Sequence, residues 1–192
     1  MATDRQSVRP TWQKIEMNLS DAIVIEYLVG GLAPDSDIPM PEKTQHLIKG
    51  AWGRIHDKLG TEFNFDFWDK NIPRRSTYPA CRAVLAAKHQ GFEKEMIKAI
   101  QHGYYLHALN PSDDHVLIHL AEDLGLDIAL FTFDLNSEKT NEELGEQISK
   151  SRMLTRRGFP SLVLSCNGSN HFIEHDYEDP DITISKIEDL LR

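Results

Sequence analysis

Gly158-Phe159-Pro160-Ser161-Leu162-Val163-Leu164-Ser165-Cys166 is the stretch on which the fold assignment turns. A proline stands directly before SLVLSC, a short aliphatic run of strand length. Asn167-Gly168 follows, and this pair suits a tight hairpin turn because both residues tolerate positive φ. Residues 170–175 then predict a return strand. Asp179-Pro180-Asp181 opens a last helix through Leu191, with a capping side chain ahead of a proline in the first turn.

Upstream of this stretch the periodicity is helical over residues 42–155. Helices are predicted at 42–59, from a Ser76 or Thr77 cap to His89, at 92–109, from a cap in 110–113 to Leu124, at 127–135 and at 138–155. In the helix after Asp113, Leu117, Leu120, Ala121 and Leu124 recur at helical spacing, and Gly125 stops it. Residues 60–75 form an aromatic connection in which Phe63, Phe65 and Phe67 alternate. Ahead of the helical block, residues 30–41 read as a loop with three prolines and two glycines. Residues 22–29, AIVIEYLV, are apolar except for Glu26 and predict a strand buried on both faces, as in a parallel sheet. A short helix is expected over 10–19. The chain thus divides into residues 1–41, a helical segment at 42–155, and residues 156–192.

Thirty acidic residues against 21 Lys and Arg give a net charge of −9. Non-specific binding to nucleic acid or to an anionic membrane needs clustered positive charge, so neither partner is expected. The opening MATDRQSVRPTWQ has no apolar stretch of the kind a signal peptide or anchor carries, and a cytoplasmic protein is expected. Cys81 and Cys166 form no Cys-x-x-Cys, and in a reducing compartment both are expected as free thiols.

In thioredoxin-like folds a cis-proline precedes the third core strand and faces an active-site dithiol, and Phe159-Pro160 stands at that place. Further stretches agree: YLVGGLAPDSDIPMP (27–41), FNFDFW (63–68), PRRSTYPACRAVLAA (73–87), AIQHGYYLHALNPSD (99–113), LAEDLGLD (120–127) and RRGFPSLVL (156–164). Over residues 9–192 the chain resembles a cytosolic branch of the DsbA-like thioredoxin family, and more distantly the kappa-class glutathione transferases and hydroxychromene-carboxylate isomerases. The resemblance implies an α/β, thioredoxin-like fold with a large all-helical insertion and a cis Phe159–Pro160 bond. It also implies descent from thiol–disulfide oxidoreductases, which use no cofactor. Phe159, Pro160 and Arg82 are the implied substrate-binding residues, at a groove for a peptide or glutathione.

One departure from the family bears on function. Its members begin with a strand, followed by Cys-x-x-Cys at the N-terminus of the first helix. Here that helix starts near Arg9-Pro10-Thr11-Trp12, and MATDRQSV before it holds neither a cysteine nor an apolar strand. The first core strand and the dithiol are therefore expected to be missing, by truncation, frameshift or a misplaced start. In the family that strand lies between the two strands expected here at 22–29 and 161–166. Its loss would orphan backbone groups at about 1–3 kcal/mol each, against a total stability of about 5–15 kcal/mol. Low stability, a foreign strand in the gap, or homo-oligomers joined through open edges are the expected consequences.

Dithiol exchange needs one thiol of lowered pKa and a second to resolve the mixed disulfide. Cys81 is the nearest substitute: Arg74, Arg75 and Arg82 near it in sequence would favour a thiolate, whereas a small packed residue is the plainer reading. Cys166 ends a core strand. Ser7 and Thr11 are the hydroxyl candidates near the first helix. The three arginines would either hold a carboxylate of glutathione or a peptide, or form a solvated helix entrance paired with local acids. FNFDFW would either line a peptide groove or belong to the core. His115 and His119 share a helix face, and His171 and His175 a strand, yet no third ligand is evident and no metal is expected. Three functions remain open: a redox-inactive member of an oxidoreductase lineage, a glutathione-dependent transferase or isomerase, and a non-catalytic peptide-binding module.

Overall fold

The computed structural model describes residues 10–155 and 159–192. Ser7, Arg9 and the rest of residues 1–9, together with residues 156–158 of the RRGFPS stretch, lie outside the described residues. The chain runs α1 (Pro10–Asn18), α2 (Glu42–Leu59), α3 (Phe67–Lys70), α4 (Tyr78–Lys88), α5 (Glu93–Leu106), α6 (Asp114–Asp123), α7 (Ile128–Leu135), α8 (Glu138–Leu154), β1 (Leu162–Cys166), β2 (Ser169–Ile173) and α9 (Pro180–Leu191). It divides into two compact units, Met1–Gly30 with Ile148–Arg192, and Gly31–Gln147. These borders fall inside the 30–41 loop and inside α8, rather than at the 41/42 and 155/156 divisions that the sequence pattern suggests.

The Gly31–Gln147 unit is organised around α4. Its sequence YPACRAVLAAK puts a short apolar run inside a helix, and Arg82, Ala83, Val84, Leu85, Ala86 and Ala87 are all buried. Such a helix has no solvent stripe, and the alanines let α5, α6 and α7 approach it closely. Met96, Leu117, Phe131 and Leu135 fill the space between them, each fully buried. Burial of each such side chain contributes about 1.5–3 kcal/mol before entropy is counted. A second cluster forms around Trp52 of α2, whose ring stacks on Phe63 at 5.0 Å. Phe67 and Trp68 of α3 join it, buried with Met40 and Ala108. Of the FNFDFW run, Phe67 and Trp68 are thus core and Phe63 packs partly buried against them, whereas Phe65 is 44% exposed.

Two of the expected helix caps are used otherwise. Thr77 precedes α4 but makes no side-chain cap. Its hydroxyl instead accepts the Ala33 N–H at 2.9 Å and donates to the Ala33 carbonyl at 3.1 Å. Asp113 precedes α6, and its carboxylate pairs with Arg74 rather than capping. Both side chains fasten distant segments of the chain to each other. Asp127 and Asp179 do cap, accepting the N–H of Leu130 and of Asp181.

In the other unit α1 packs on α9, and α9 packs on both strands. Ile15, Ile173, Thr183 and Ile187 form its centre. The strands are antiparallel, with Leu162 opposite Ile173 and Cys166 opposite Ser169. Asn167 and Gly168 connect them with φ of 49° and 74°, the double positive φ of a tight hairpin turn.

Residues 22–29 are not a strand, contrary to expectation. A strand buried on both faces needs sheet neighbours, and among the described residues the sheet consists of β1 and β2. The segment is extended but held by side chains. Val24 is 91% exposed. Glu26 pairs with Lys150 of α8 at 2.7 Å. The Tyr27 hydroxyl donates to Glu16 at 2.5 Å and accepts from the Trp12 ring at 3.1 Å.

Candidate functional site

Phe159 and Pro160 stand directly ahead of β1, and the peptide bond between them is cis. Both residues are exposed. The Phe159 ring is 43% exposed and rests on Gly30. A Cβ placed on Gly30 would stand 2.9 Å from Phe159 Cζ and 3.0 Å from Cδ1 and Cδ2. Only a residue without a side chain lets the ring lie there. Gly30 ends the extended segment that Tyr27, through Trp12 and Glu16, ties to α1. An apolar ring and a proline are thereby presented together at the surface, on a backbone braced by α1. Thr11 lies in the first turn of that helix.

Cys81 and Arg82 belong to the other unit, on the first turns of α4. Cys81 is half-buried, and burial pushes its thiol pKa up. The Gly31 backbone N–H and the Arg82 charge oppose that shift without overcoming it. Burial thus favours the thiol over the thiolate at Cys81. Arg82 explains why its charge helps so little. Its guanidinium forks onto Asp35, with Nη1 and Nη2 at 2.8 and 2.9 Å from the two carboxylate oxygens. The Arg82 side chain is 7% exposed, whereas Asp35 is 55% exposed. Asn141 stands at 3.5 Å, and Arg82 Nε is buried without a partner. Arg82 is thus not at a solvated helix entrance, and a ligand carboxylate reaching it must first displace Asp35. Arg74 is likewise occupied, by Asp113 and by the Ser112 carbonyl at 3.0 Å. Arg75 is exposed.

Cys166 closes β1, its Sγ 3.8 Å from the Leu190 carbonyl. Both cysteines are free. His119 lies near Glu122 and Asp123 at 3.9 and 3.7 Å. Among the described residues, no group of three or more His, Cys, Asp or Glu side chains is arranged to hold a metal ion.

One polar cluster carries no sequence signal. His89, at the C-terminal end of α4, puts Nδ1 3.1 Å from Asp134 of α7 and Nε2 2.9 Å from Glu143 of α8. Three residues this far apart in sequence share no spacing motif. Only the packing of α4 against α7 foretells such a meeting.

The sequence profile of the family described as DSBA-like thioredoxin domain matches residues 9–179. A curated relative, the ClpXP adapter protein SpxH of Bacillus subtilis (strain 168), is 29% identical over 106 residues. That match covers 54% of this chain and 36% of the relative, so the chain spans about a third of that protein's length. Among solved structures, the cytosolic disulfide reductase DsbM from Pseudomonas aeruginosa has a TM-score of 0.74 at 23% identity, covering 95% of this chain and 90% of that one. The structure of the same reductase with GSH has a TM-score of 0.71 at 21% identity, covering 95% and 91%. Likeness at this identity is likeness of fold.

Proposed function

The chain belongs to the DSBA-like thioredoxin domain family, and on that footing we propose that these 192 residues bind a thiol- or disulfide-bearing ligand at Phe159-Pro160 without cycling a dithiol themselves. The fold is thioredoxin-like with a large helical insertion, and the family is one of thiol–disulfide oxidoreductases. The observation that carries the proposal is the state of the two cysteines. Cys81, on α4, is a half-buried thiol of raised pKa, and Cys166 ends a strand. Neither has a second cysteine at Cys-x-x-Cys spacing to resolve a mixed disulfide.

The ligand class follows from the exposed Phe159 ring and Pro160. An extended peptide lays its apolar atoms on such a surface and its backbone along the adjoining strand. Glutathione, itself a short peptide, is the smaller occupant, and a similarly folded reductase has been solved with it. Arg82 carries no ligand contact in this reading, since Asp35 already fills its fork. A cytoplasmic setting fits the two free thiols and the cytosolic description of that reductase. No helix among the described residues is long and apolar enough to cross a membrane.

A second reading, a purely non-catalytic holder of another protein, draws on the relative named as a ClpXP adapter. Titration of the chain with reduced glutathione, oxidised glutathione and an unfolded cysteine-containing peptide separates the two. Under the first reading, amide resonances of Phe159, Ser161 and Gly30 move with at least one of the glutathiones, and Phe159→Ala weakens binding. Under the second, the peptide moves them equally when its cysteine is replaced by serine, and neither glutathione does. Absence of any shift at these residues refutes both.

A further inference from the structure

We propose that His89 is a proton-dependent clamp that fastens the end of α4 to α7 and α8, closed when the ring carries a proton and loosened when it loses it. The geometry sets the requirement. Both ring nitrogens face carboxylates, Nδ1 at 3.1 Å from Asp134 and Nε2 at 2.9 Å from Glu143. Ionised carboxylates only accept hydrogen bonds, so satisfying both takes two N–H donors, and only the imidazolium has two. A neutral ring keeps one bond and turns a bare nitrogen lone pair toward the other carboxylate.

The surroundings brace the arrangement. The next residue, Gln90, exchanges two hydrogen bonds with Asp127 at the head of α7, its Oε1 accepting at 2.8 Å and its Nε2 donating at 3.2 Å. Residues 89 and 90 thus hold α7 at both ends. Glu143 is steadied by Gln147 at 3.3 Å, one turn along α8. The charges acting on His89 are those of Asp134 and Glu143. On α4 itself, Lys88 turns to Glu93 at the start of α5, at 3.3 Å. From α6, Asp114 accepts from Asn136, which follows α7, at 2.6 Å. Burial pulls the ring's pKa down, and the bonds and charges of the two carboxylates outweigh it, leaving a net rise. The clamp grips the first half of α8, the helix that precedes Phe159-Pro160 in sequence.

Two measurements on the intact chain test this. The His89 ring, followed by NMR, should titrate above the same ring in the urea-unfolded chain, and Asp134→Asn and Glu143→Gln should each lower its midpoint. Amide exchange in α7 and the first half of α8, corrected for intrinsic pH dependence, should accelerate about fivefold as the ring deprotonates, the effect of losing roughly one hydrogen bond. In His89→Gln the exchange should be fast at every pH. If that variant does not fold, the wild-type titration decides alone. A His89 midpoint at or below the unfolded value overturns the clamp, as does exchange in α7 and α8 that stays unchanged through the titration.

Discussion

The Phe159 ring lies on Gly30 so closely that a methyl group at position 30 would meet ring carbons at 2.9–3.0 Å. The contact joins the end of the extended segment 22–29 to the residue before Pro160, and it sets where the exposed ring can sit. Because Phe159 is 43% exposed, the ring can swing outward to relieve a clash, so the energetic effect is modest while the positional effect is large. Gly30→Ala should cost about 1 kcal/mol of stability. In a Phe159→Ala background the same change should cost close to nothing, since the two residues are coupled by direct contact. Urea unfolding of the four chains measures this. Equal costs in both backgrounds would show that Gly30 answers to something other than Phe159.

The Arg82–Asp35 pair is asymmetric, 7% against 55% exposed. Removing Arg82 frees a carboxylate that is already half in water. Removing Asp35 strands a buried guanidinium whose Nε has no partner. Breaking a fully buried pair in that way costs about 3–5 kcal/mol, and half-exposure of Asp35 scales it down to about 1–2 kcal/mol. Asp35→Ala should therefore destabilise more than Arg82→Met. Comparison of the two denaturation midpoints checks the order.

Burial raises the Cys81 pKa, so its thiolate fraction at mildly alkaline pH is below that of an ordinary cysteine. In the native chain Cys81 should react with a disulfide reagent about tenfold or more slower than in the unfolded chain. The slow phase should vanish in Cys81→Ala. Denatured, non-reduced protein should titrate as two free thiols, matching the two free cysteines. A fast native reaction at Cys81 would mark an activated thiol.

Asp176 accepts backbone N–H bonds from Asp179 and Glu178, both at 2.8 Å, and these bonds hold its pKa below the usual carboxylate value. A lowered folded-state pKa means stability that is present above the unfolded pKa of 3.8 and lost as pH falls through the folded value. Asp176→Ala should thus be less stable than the native chain near pH 6, with the gap closing under strong acid. A gap that persists at the lowest pH would place the effect in packing rather than charge.

Helices were legible where periodicity and punctuation coincide. Glu42–Leu59 and Pro180–Leu191 match their expected bounds because a proline or a capping Asp opens each, and the Asn167-Gly168 hairpin turn is equally local. The short helix α3 escaped because its first two residues, Phe67 and Trp68, close an aromatic run that reads as alternation. Apolar content at residues 22–29 signals burial, but a strand also requires a paired neighbour, and among the described residues the sheet holds only β1 and β2, without the first core strand of the family. The same limit hid the site's electrostatics. The sequence offers acid pairing for Arg82 as one of two readings but does not name the partner, because Asp35 stands 47 positions away, and the His89 cluster joins three helices with no shared motif.

Insulin reduction is the measurement that bears most directly on the central claim. It should be run on the unmodified chain, on Cys81→Ser, and on a chain given a strand and Cys-x-x-Cys directly before Arg9-Pro10. A lone thiol forms a mixed disulfide but needs an outside thiol to release the product. The first two proteins should therefore show no turnover above the uncatalysed reaction, and the third should be active. Turnover by the unmodified chain at a rate comparable to the third, abolished by Cys81→Ser, would contradict the account and make Cys81 a catalytic thiol.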